Sequence, residues 1–439
     1  MKIAKNILLI LLIWVSSLPY NTYAIKEITI TEGILEPIPV AINKFSVANF
    51  KSESMMSQII SVIANDLSSS SYFKIVPRGA FIENEIGISH KPMFASWRQI
   101  KAQMVLNGHI EEKSGRIEIS FILWDVTLEK AVHKEILELP AGLWRRASHK
   151  IADTIYQKIA GDKGYFDTKI AYISEQYKGN KKIKKLAVMD FDGHNHKYLT
   201  DGKDIVLTPR FSPDATKLIY ISYIKSKPQL FLKDLKTGKE SRLGGFPGIS
   251  FAPKFSPDGK KALFSIANKG STNIFEIDLS STKVKKLTNN YAINTSPSYS
   301  PDGKQIVFNS DRDGTRQIYI MNSDGSNVRK ISEGQGVYAT PVWSPAGDFI
   351  AFTKISQGFT IGIMRADGSE ERAISSGYIV EGPTWSPSGR LIMFTKESKS
   401  SGGLGSKSNI YYIDITGQNE HRLNTSTNAS DPEWSRLLD

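Results

Sequence analysis

Short runs of alternating apolar and polar residues dominate the chain after residue 168, and they recur in groups of four. One group has an opening phrase followed by runs at 305–308, 317–321 and 329–332, with turn-forming residues between them. Alternation over a few residues between turn residues is typical of half-buried strands. The pattern therefore predicts four short strands in each group.

Each group opens on one phrase, which reads Pro-x-aromatic-Ser-Pro-Asp-Gly in its full form. Its first prolines are Pro209, Pro253, Pro297, Pro341, Pro383 and Pro432. Copies therefore begin roughly 44 residues apart, and four strands at this period are typical of a β-propeller blade. A β-solenoid has shorter repeats, and two stacked sandwiches would not repeat in sequence. We therefore expect a propeller.

The two ends of the repeat region complement each other. Residues 168–200 carry the second to fourth runs of a blade without the opening phrase, whereas residues 431–435 carry the opening phrase without the other three runs. Together they make one blade, which gives six in all. We expect the last strand of the chain to pair with the first strand of the propeller, because closure removes exposed sheet edges.

The opening phrase is predicted to supply the packing between blades, and the residues just ahead of it are predicted to form a surface at one end of the propeller. Its aromatic residues are expected to pack between neighbouring blades: Phe211, Phe255, Tyr299, Trp343, Trp385 and Trp434. The residues just before each proline should ring one mouth of the central channel, and their mixture of apolar and hydrogen-bonding groups suits a protein partner. This ring comprises Leu207, Thr208, Ser250, Phe251, Ala252, Asn294, Thr295, Ser296, Tyr338, Ala339, Thr340, Val380, Glu381, Gly382, Ser430 and Asp431.

The N-terminus has the pattern of an export signal. Lys2 and Lys5 precede an apolar run at 7–15, and Ala24 ends a segment suited to cleavage. A membrane-spanning helix would need about 20 apolar residues, and this run is shorter. Residues 1–24 are therefore predicted to be a signal peptide.

The segment 25–33 alternates apolar and polar residues, which predicts a strand. It consists of Ile25, Lys26, Glu27, Ile28, Thr29, Ile30, Thr31, Glu32 and Gly33. Two roles are open: an edge strand of the first domain, or a strand that adds to the sheet of a partner. The alternation alone favours the edge strand.

The next part of the chain mixes strand and helix patterns. Strand-like runs occur at 39–43, 72–76, 104–110, 116–126 and 131–137. Apolar residues recur at helical spacing over 56–67 and 143–159, and a short helix fits 97–101. We therefore expect an α+β protein with a signal peptide (1–24), an N-terminal segment (25–33), a small α/β domain (34–162) and a six-bladed β-propeller (163–439).

Composition excludes several classes of function. The chain has no cysteine, so disulfides, thiol nucleophiles and cysteine metal sites are absent. A formal charge of +12 could suit nucleic acid, but the lysines are scattered and export removes the chain from most nucleic acid. The densest cluster is predicted to be a solvated strand edge that opposes edge pairing. It comprises Lys181, Lys182, Lys184 and Lys185.

Motifs for catalysis or metal binding are weak. The small domain contains His109, His133 and His149. Their spacing matches no zinc site, so we interpret them as surface or rim residues. His194 and His196 lack further ligands, and the segment 311–314 lacks the later ligands of a calcium loop. A hydrolase would need a Gly-x-Ser-x-Gly elbow, and none occurs. We predict no catalytic residue, no metal and no cofactor.

The order of these parts resembles a known family. The chain combines an export signal, a small α/β domain, a Gly-x-x-Gly-x-Phe junction at 161–166, six phrase-bearing blades and a closing Pro-Glu-Trp-Ser at 432–435. Over essentially the whole mature chain this resembles the TolB family, the periplasmic propeller proteins of the Tol-Pal envelope system. The phrase alone is a weak marker, because it also occurs in propellers attached to peptidases. The domain order and the closing phrase make the resemblance specific.

The resemblance implies a periplasmic scaffold that links the inner-membrane protein TolA to the peptidoglycan-associated lipoprotein Pal. Such a scaffold supports outer-membrane integrity and constriction during cell division. The resemblance also implies that residues 25–33 engage TolA, which raises strand addition above the edge-strand role. It places the Pal site at the propeller mouth, with Thr295 at a matching position. The implied Pal contacts are Ile249, Ser250, Phe251, Asn294, Thr295, Ser296, Tyr338, Thr340, Glu381 and Asp431.

The chain departs from the family pattern in two places. Family members can carry Arg-His-Asn-Gly before the second phrase, where this chain has Gly-Ile-Ser-Phe at 248–251. The polar contacts of the family are therefore not carried over to Ile249 and Phe251. Arg436 also stands where a proline usually follows the last serine. The alternative function is a periplasmic propeller that binds a carbohydrate or small ligand, or that assists a hydrolase.

Overall fold

An α/β domain and a ring of six four-stranded sheets make up the computed structural model. It describes residues 36–48, 51–83, 87–179, 181–244, 246, 248–399 and 406–438. The predicted signal peptide and the segment 25–33 lie outside the described residues. Among the described helices, none is both long enough and apolar enough to cross a membrane.

In the part of the first domain that the structure describes, there are six strands and three α-helices. The strands are β1 (Ile38–Ile42), β2 (Ser46–Val47), β3 (Phe73–Ile75), β4 (Met104–Lys113), β5 (Arg116–Asp125) and β6 (Lys130–Pro140). The helices are α1 (Lys51–Ser69), α2 (Phe94–Gln99) and α3 (Trp144–Ala160), with short 3-10 turns at Arg78–Ala80 and Ala141–Leu143. The sheet order is β3-β1-β4-β5-β6, and β2 pairs with β4. β1, β2 and β3 pair parallel to their partners, whereas β4 to β6 form an antiparallel meander.

The two long helices cover one face of this sheet. Ile59, Ile63 and Leu67 on α1 and Ile151 and Ile155 on α3 are fully buried and share one core. Their spacing is the helical spacing seen in the sequence, and burying one such side chain contributes about 1.5–3 kcal/mol. The short α2 covers the other face through a separate cluster. The sheet is therefore packed on both sides.

The Gly-x-x-Gly junction between the domains has a specific geometry. Gly161 ends α3 with φ of 83°, a left-handed conformation that suits glycine. At Gly164 a β-carbon would lie 2.1 Å from Oδ1 of Asp153, so no larger residue fits without a shift. Asp153 accepts hydrogen bonds from the backbone N–H groups of Phe166 (2.8 Å) and Asp167 (2.9 Å). The helix thereby holds the start of the propeller directly.

Each blade is an antiparallel meander whose first strand lies innermost. Blade 1 consists of β10 (Val206–Phe211), β11 (Lys217–Ile224), β12 (Lys227–Asp234) and β13 (Glu240–Arg242). Blade 2 consists of β14 (Ile249–Phe255), β15 (Lys261–Asn268), β16 (Ser271–Asp278) and β17 (Val284–Lys286). Blade 3 consists of β18 (Thr295–Tyr299), β19 (Gln305–Ser310), β20 (Gln317–Asn322) and β21 (Arg329–Lys330). Blade 4 consists of β22 (Val337–Trp343), β23 (Phe349–Ile355), β24 (Phe359–Arg365) and β25 (Arg372–Gly377). Blade 5 consists of β26 (Ile379–Trp385), β27 (Leu391–Ser398), β28 (Lys407–Asp414) and β29 (His421–Arg422).

Blade 6 joins the two ends of the propeller. It consists of β30 (Asn428–Trp434), followed by β7 (Lys169–Lys178), β8 (Lys181–Asp190) and β9 (Lys197–Tyr198). β30 pairs antiparallel with β7, which is the pairing expected from the complementary end pieces. Nε1 of Trp434 also donates to Oγ1 of Thr168 at 2.9 Å. The last strand of the chain therefore closes the ring.

The opening phrase builds the core of the ring and a repeated turn. All six of its aromatic residues are buried, which confirms the predicted packing role. In blade 2, Oγ of Ser256 donates to Asp258 (2.6 Å) and accepts from the backbone N–H of Lys261 (2.9 Å). Blades 1 and 3 repeat this pair of bonds. The Ser-Pro-Asp sequence therefore fixes the turn that leads outward from the innermost strand.

Candidate functional site

The residues ahead of each phrase proline lie at one end of the propeller. In blade 3, Thr295 at the start of the innermost strand pairs with Asn309, which in turn pairs with Ile318. The connection from the preceding blade and the hairpin between the second and third strands therefore meet at this end. We call this end the mouth.

A left-handed residue stands immediately before every phrase proline. φ is 48° at Thr208, 51° at Ala252, 53° at Ser296, 47° at Thr340, 66° at Gly382 and 50° at Asp431. The pairing register between the first two strands of each blade shifts at the same position. Such backbone costs a non-glycine residue of order 1–2 kcal/mol. Its recurrence in all six blades shows that the mouth depends on this backbone shape.

Two of the predicted contact residues support the mouth from inside. Asn294 is fully buried: its amide donates to the carbonyl of Thr272 (3.0 Å) and accepts from Arg312 (2.9 Å). Tyr338 is fully buried as well, and its hydroxyl donates to Glu371 at 2.8 Å. These side chains hold the loops of the mouth in place and present little surface of their own.

Hydroxyl groups line the mouth at blades 3 and 4. Oγ1 of Thr295 accepts from Asn309 at 2.6 Å, and Oγ1 of Thr340 lies 2.9 Å from the hydroxyl of Thr353. Both threonines are half-buried, as is the left-handed Ser296. Ser250 lies within the innermost strand of blade 2. The structure thus places these predicted residues at one end of neighbouring innermost strands.

A row of paired residues, which we call the apolar row because an isoleucine stands at each of its ends, crosses the top of blade 2. Ile249 pairs with Ala267, Ala267 pairs with Thr272, and Thr272 bridges to Ile293. Ile249 is 51% exposed, and the neighbouring Tyr291 is 96% exposed. A cavity of about 440 Å³ beside the row has Tyr291 in its wall together with Phe246, Ile266, Asn268, Lys269, Ser271, Asn273, Phe275, Val284 and Lys286. Phe251 follows on the same strand and is half-buried.

Sequence reasoning missed Tyr291 and Ile293. Both lie in the connection that leads into the third phrase, just outside the residues assigned to the ring. An aromatic and an aliphatic residue among the polar residues 289–294 was the available signal. The bridge to Thr272 brings this connection beside the start of blade 2, and that bridge is set by tertiary structure.

Two acidic residues, Glu381 of blade 5 and Asp431 of blade 6, lie in the mouth on neighbouring innermost strands. The carboxylate of Asp431 accepts from the backbone N–H of Thr208 at 3.4 Å, and its own N–H donates to Thr395. Desolvation, followed by the charge of Asp431, raises the pKa of Glu381. The mouth therefore presents apolar, hydroxyl and acidic groups.

The predicted solvated lysine cluster is partly an ion-pair site. Lys182 and Lys184 lie 2.6 and 2.9 Å from the two carboxylate oxygens of Glu175, whose side chain is 3% exposed. Ser430 donates to the same carboxylate at 2.9 Å. The prediction of a wholly solvated cluster is wrong for these two lysines, because a buried carboxylate requires compensating charge.

The first domain packs against the opposite end of blades 5 and 6, since one buried cluster contains Tyr156 on α3, Tyr412 of blade 5 and Trp434 of blade 6. Tyr165 contacts Phe191 and Trp434 edge-on, and the rings of Phe191 and Trp434 stack at 5.1 Å. Trp434 lies at the far end of its strand from Asp431, so this packing leaves the mouth uncovered. A cavity of about 630 Å³ at this boundary is lined by residues that include Asn65, Trp144, Arg145, Asp192 and Asn424.

A buried ion network also crosses this boundary. His149 is 2% exposed and lies 2.6 Å from Asp66, while its second nitrogen lies 3.7 Å from Asp192. The interpretation of His149 as a surface or rim residue is therefore wrong, because it lies on the packed face of α3. Ligand atoms of these three residues lie within 4.8 Å of one another. Arg145 pairs with Asp192. The positive charges of Arg145 and a protonated His149 therefore balance the negative charges of Asp66 and Asp192, and no metal ion is needed for neutrality.

Comparison with known proteins shows the family to which the chain belongs. The TolB beta propeller domain matches residues 156–438, and the TolB amino-terminal domain matches residues 26–132. The chain belongs to the TolB family. The Tol-Pal system protein TolB of Rickettsia bellii (strain OSU 85-389) is 54% identical over 445 residues, which cover 99% of this chain and 100% of that relative. The corresponding protein of Rickettsia massiliae (strain Mtu5) is 55% identical over 430 residues, covering 95% and 97%.

A solved TolB structure agrees with the fold. The crystal structure of TolB from Acinetobacter baumannii matches with a TM-score of 0.80 at 26% identity, covering 91% of this chain and 97% of that one. The resemblance drawn from the domain order and the predicted fold class are both confirmed.

Proposed function

We propose that this chain is a periplasmic protein-binding scaffold of the Tol-Pal system, which joins Pal at the propeller mouth to TolA at the N-terminal segment. In this role it supports outer-membrane integrity and constriction during cell division. The observation that carries the proposal is the exposed apolar row on the rim of the mouth, where Ile249 and Tyr291 face solvent. Exposed apolar patches rimmed by polar groups mark protein interfaces. Membership of the TolB family supports the same conclusion.

The Pal surface comprises the groups that the mouth presents. Ile249 and Phe251 supply apolar contact, and Thr295, Ser296 and Thr340 supply hydroxyl groups. Glu381 and Asp431 form the acidic side. Ser250 contributes through its strand, and Asn294 and Tyr338 act through the loops that they anchor. An apolar centre with a polar rim is the usual arrangement of a protein interface.

The TolA surface is the segment 25–33. Its alternating Ile and Thr residues can add a strand to a partner's sheet, in which backbone hydrogen bonds supply affinity and every second side chain supplies specificity. Cleavage after about Ala24 would leave this segment at the new N-terminus. An exported scaffold could then hold two partners with separate surfaces.

We further propose that the chain is not an enzyme. No Gly-x-Ser-x-Gly elbow occurs in the sequence, and the ion network at the domain boundary is charge-balanced. The cavity at this boundary is the place where a carbohydrate or small ligand would bind under the alternative function, since Trp144 and two asparagines line it.

A crossed pull-down from envelope extract tests the scaffold. Deleting residues 25–33 should abolish recovery of TolA and leave Pal unchanged, whereas Thr295→Asp with Phe251→Asp should abolish recovery of Pal and leave TolA unchanged. Loss of both partners in both variants would indicate misfolding, which circular dichroism of each variant detects. Unchanged Pal recovery with the charged mouth would overturn the mouth assignment.

A further inference from the structure

Four polar side chains from four different blades converge inside the channel. Each directly follows a phrase proline: Arg210, Lys254, Thr384 and Glu433. Glu433 is the centre of this group, because it accepts from Lys254 at 2.8 Å and from Thr384 at 3.1 Å, with Nε of Arg210 at 3.6 Å. We call these four residues the waist cluster.

The contact between Lys254 and Glu433 locates the cluster on the axis. Lys254 belongs to blade 2 and Glu433 to blade 6, and blade 1 stands between them in the ring. Two side chains from blades that are not neighbours can meet at hydrogen-bond distance only by reaching into the central channel. The waist cluster therefore lies within the channel itself.

The waist cluster carries one more positive charge than negative. Lys254 and Arg210 are both cationic, and among the described residues Glu433 is the one carboxylate paired with either of them. The Glu433 side chain is 7% exposed, whereas Lys254 and Arg210 retain 22% and 19%. The side chains of Lys254 and Arg210 therefore keep more solvent exposure than their shared counter-ion.

Lys254 and Arg210 each have N–H groups that donate to no acceptor among the described residues. The Lys254 ammonium has three N–H groups, and Glu433 is its single bonded acceptor among the described residues. Nη1 of Arg210 donates to the carbonyl of Pro209 at 2.6 Å, while Nη2 has no bonded acceptor in the described part of the chain. Burial lowers the pKa of Lys254; the charge of Glu433 opposes this shift, and the charge of Arg210 adds to it.

We propose that the waist cluster binds one small oxyanion, taken either from solution or as a carboxylate group of the partner at the mouth. Lys254 and Arg210 supply charge-assisted hydrogen bonds to it, and Thr384 keeps Glu433 turned toward the cations. The anion balances the second positive charge. The partner carboxylate rests on the proposed function, whereas binding of a free anion does not.

Isothermal titration of the full chain with inorganic phosphate, at constant ionic strength in a chloride-free buffer, tests the site. We expect saturable binding of one phosphate, weakened at least about tenfold by Lys254→Met, since one charge-assisted bond is lost. Lys260→Met, on the exposed turn of the same blade, should leave the affinity unchanged. Glu433→Gln should tighten binding, because it removes the competing carboxylate. Absence of saturable binding, or equal affinity of the wild type and Lys254→Met, would overturn the proposal.

Competition with the partner separates the two sources. If the anion is a partner carboxylate, phosphate will weaken binding of the soluble Pal domain to the wild type and have no such effect on Lys254→Met. If the anion comes from solution, Pal affinity will not depend on phosphate. Failure of Pal to bind at all would count against the proposed function and leave the phosphate titration as an independent test. Should Lys254→Met fail to fold, the gain in Glu433→Gln decides the matter.

Discussion

Nδ1 of His149 lies 2.6 Å from Oδ2 of Asp66 in a pair whose side chains are both 2% exposed. His149 lies on α3 and Asp66 on α1, while Asp192 approaches the second ring nitrogen from the propeller. Arg145 pairs with Asp192. The pair is thus the centre of a network that attaches the first domain to the ring through buried charges.

Raising the pH should weaken folding through His149. Burial alone lowers the pKa of His149, but the carboxylates of Asp66 and Asp192 outweigh burial and raise the pKa to about 9. The resulting stability is complete below the unfolded value of 6.5 and is lost as the pH rises through about 9. This shift corresponds to about 3 kcal/mol. Urea denaturation should show the free energy of unfolding falling by about that amount between about pH 6 and about pH 10.

The histidine contribution is isolated by comparing variants. His149→Gln should flatten the pH dependence, and His90→Gln, at an exposed position, should preserve it. Asp153 titrates in the lower part of this range, because burial raises its pKa to about 7. The difference between the wild type and His149→Gln is therefore the quantity to follow. Parallel pH profiles for these two proteins would contradict the account of the network.

The left-handed residues of the mouth should respond to substitution in opposite directions. A β-carbon at Gly382 would meet no atom of the described residues within 4 Å, so Gly382→Ala tests backbone strain alone and should destabilise by about 1 kcal/mol. Thr208 is β-branched with φ of 48°, and its buried hydroxyl has no hydrogen-bond partner among the described residues, so Thr208→Gly should stabilise by a similar amount. Thermal unfolding measures both. A gain in stability for Gly382→Ala would refute the strain argument.

Closure of the ring should depend on Trp434. Its indole stacks on Phe191 and donates to Thr168, so Trp434→Ala should cost about 3–5 kcal/mol through lost packing. Trp434→Phe keeps most of the ring contact and loses the hydrogen bond, for a cost of about 1 kcal/mol. Urea denaturation distinguishes the two. Equal costs would show that packing of the closing strand contributes little.

The fold could be predicted from local pattern because its repeats are local. The phrase at each innermost strand recurs with its turn residues, and the apolar spacing of α1 and α3 marks their buried faces. The complementary end pieces even indicated which strands close the ring. Each of these signals lies within one repeat or one helix, where periodicity in the sequence maps directly onto structure.

The interactions between distant elements could not be predicted in this way. His149 and Asp66 are 83 positions apart, and Lys254 and Glu433 are 179 apart. No local pattern links such residues, so His149 was taken for a surface or rim residue. Burial of Asn294 and Tyr338 likewise depends on partners in other loops, Thr272 and Glu371. The position of the mouth was accessible from sequence, and the orientation of its side chains was not.

The central claim is that the mouth of the propeller is the surface that binds Pal. Ile249→Asp places a charge in the apolar row, and Leu128→Asp places one at a similarly exposed apolar position, 59% against 51%, on the first domain. The dissociation constant of each variant for the soluble Pal domain, measured by isothermal titration, is the most direct test. We predict a loss of affinity of at least about tenfold for Ile249→Asp and none for Leu128→Asp. Equal affinity of both variants and the wild type would contradict the account.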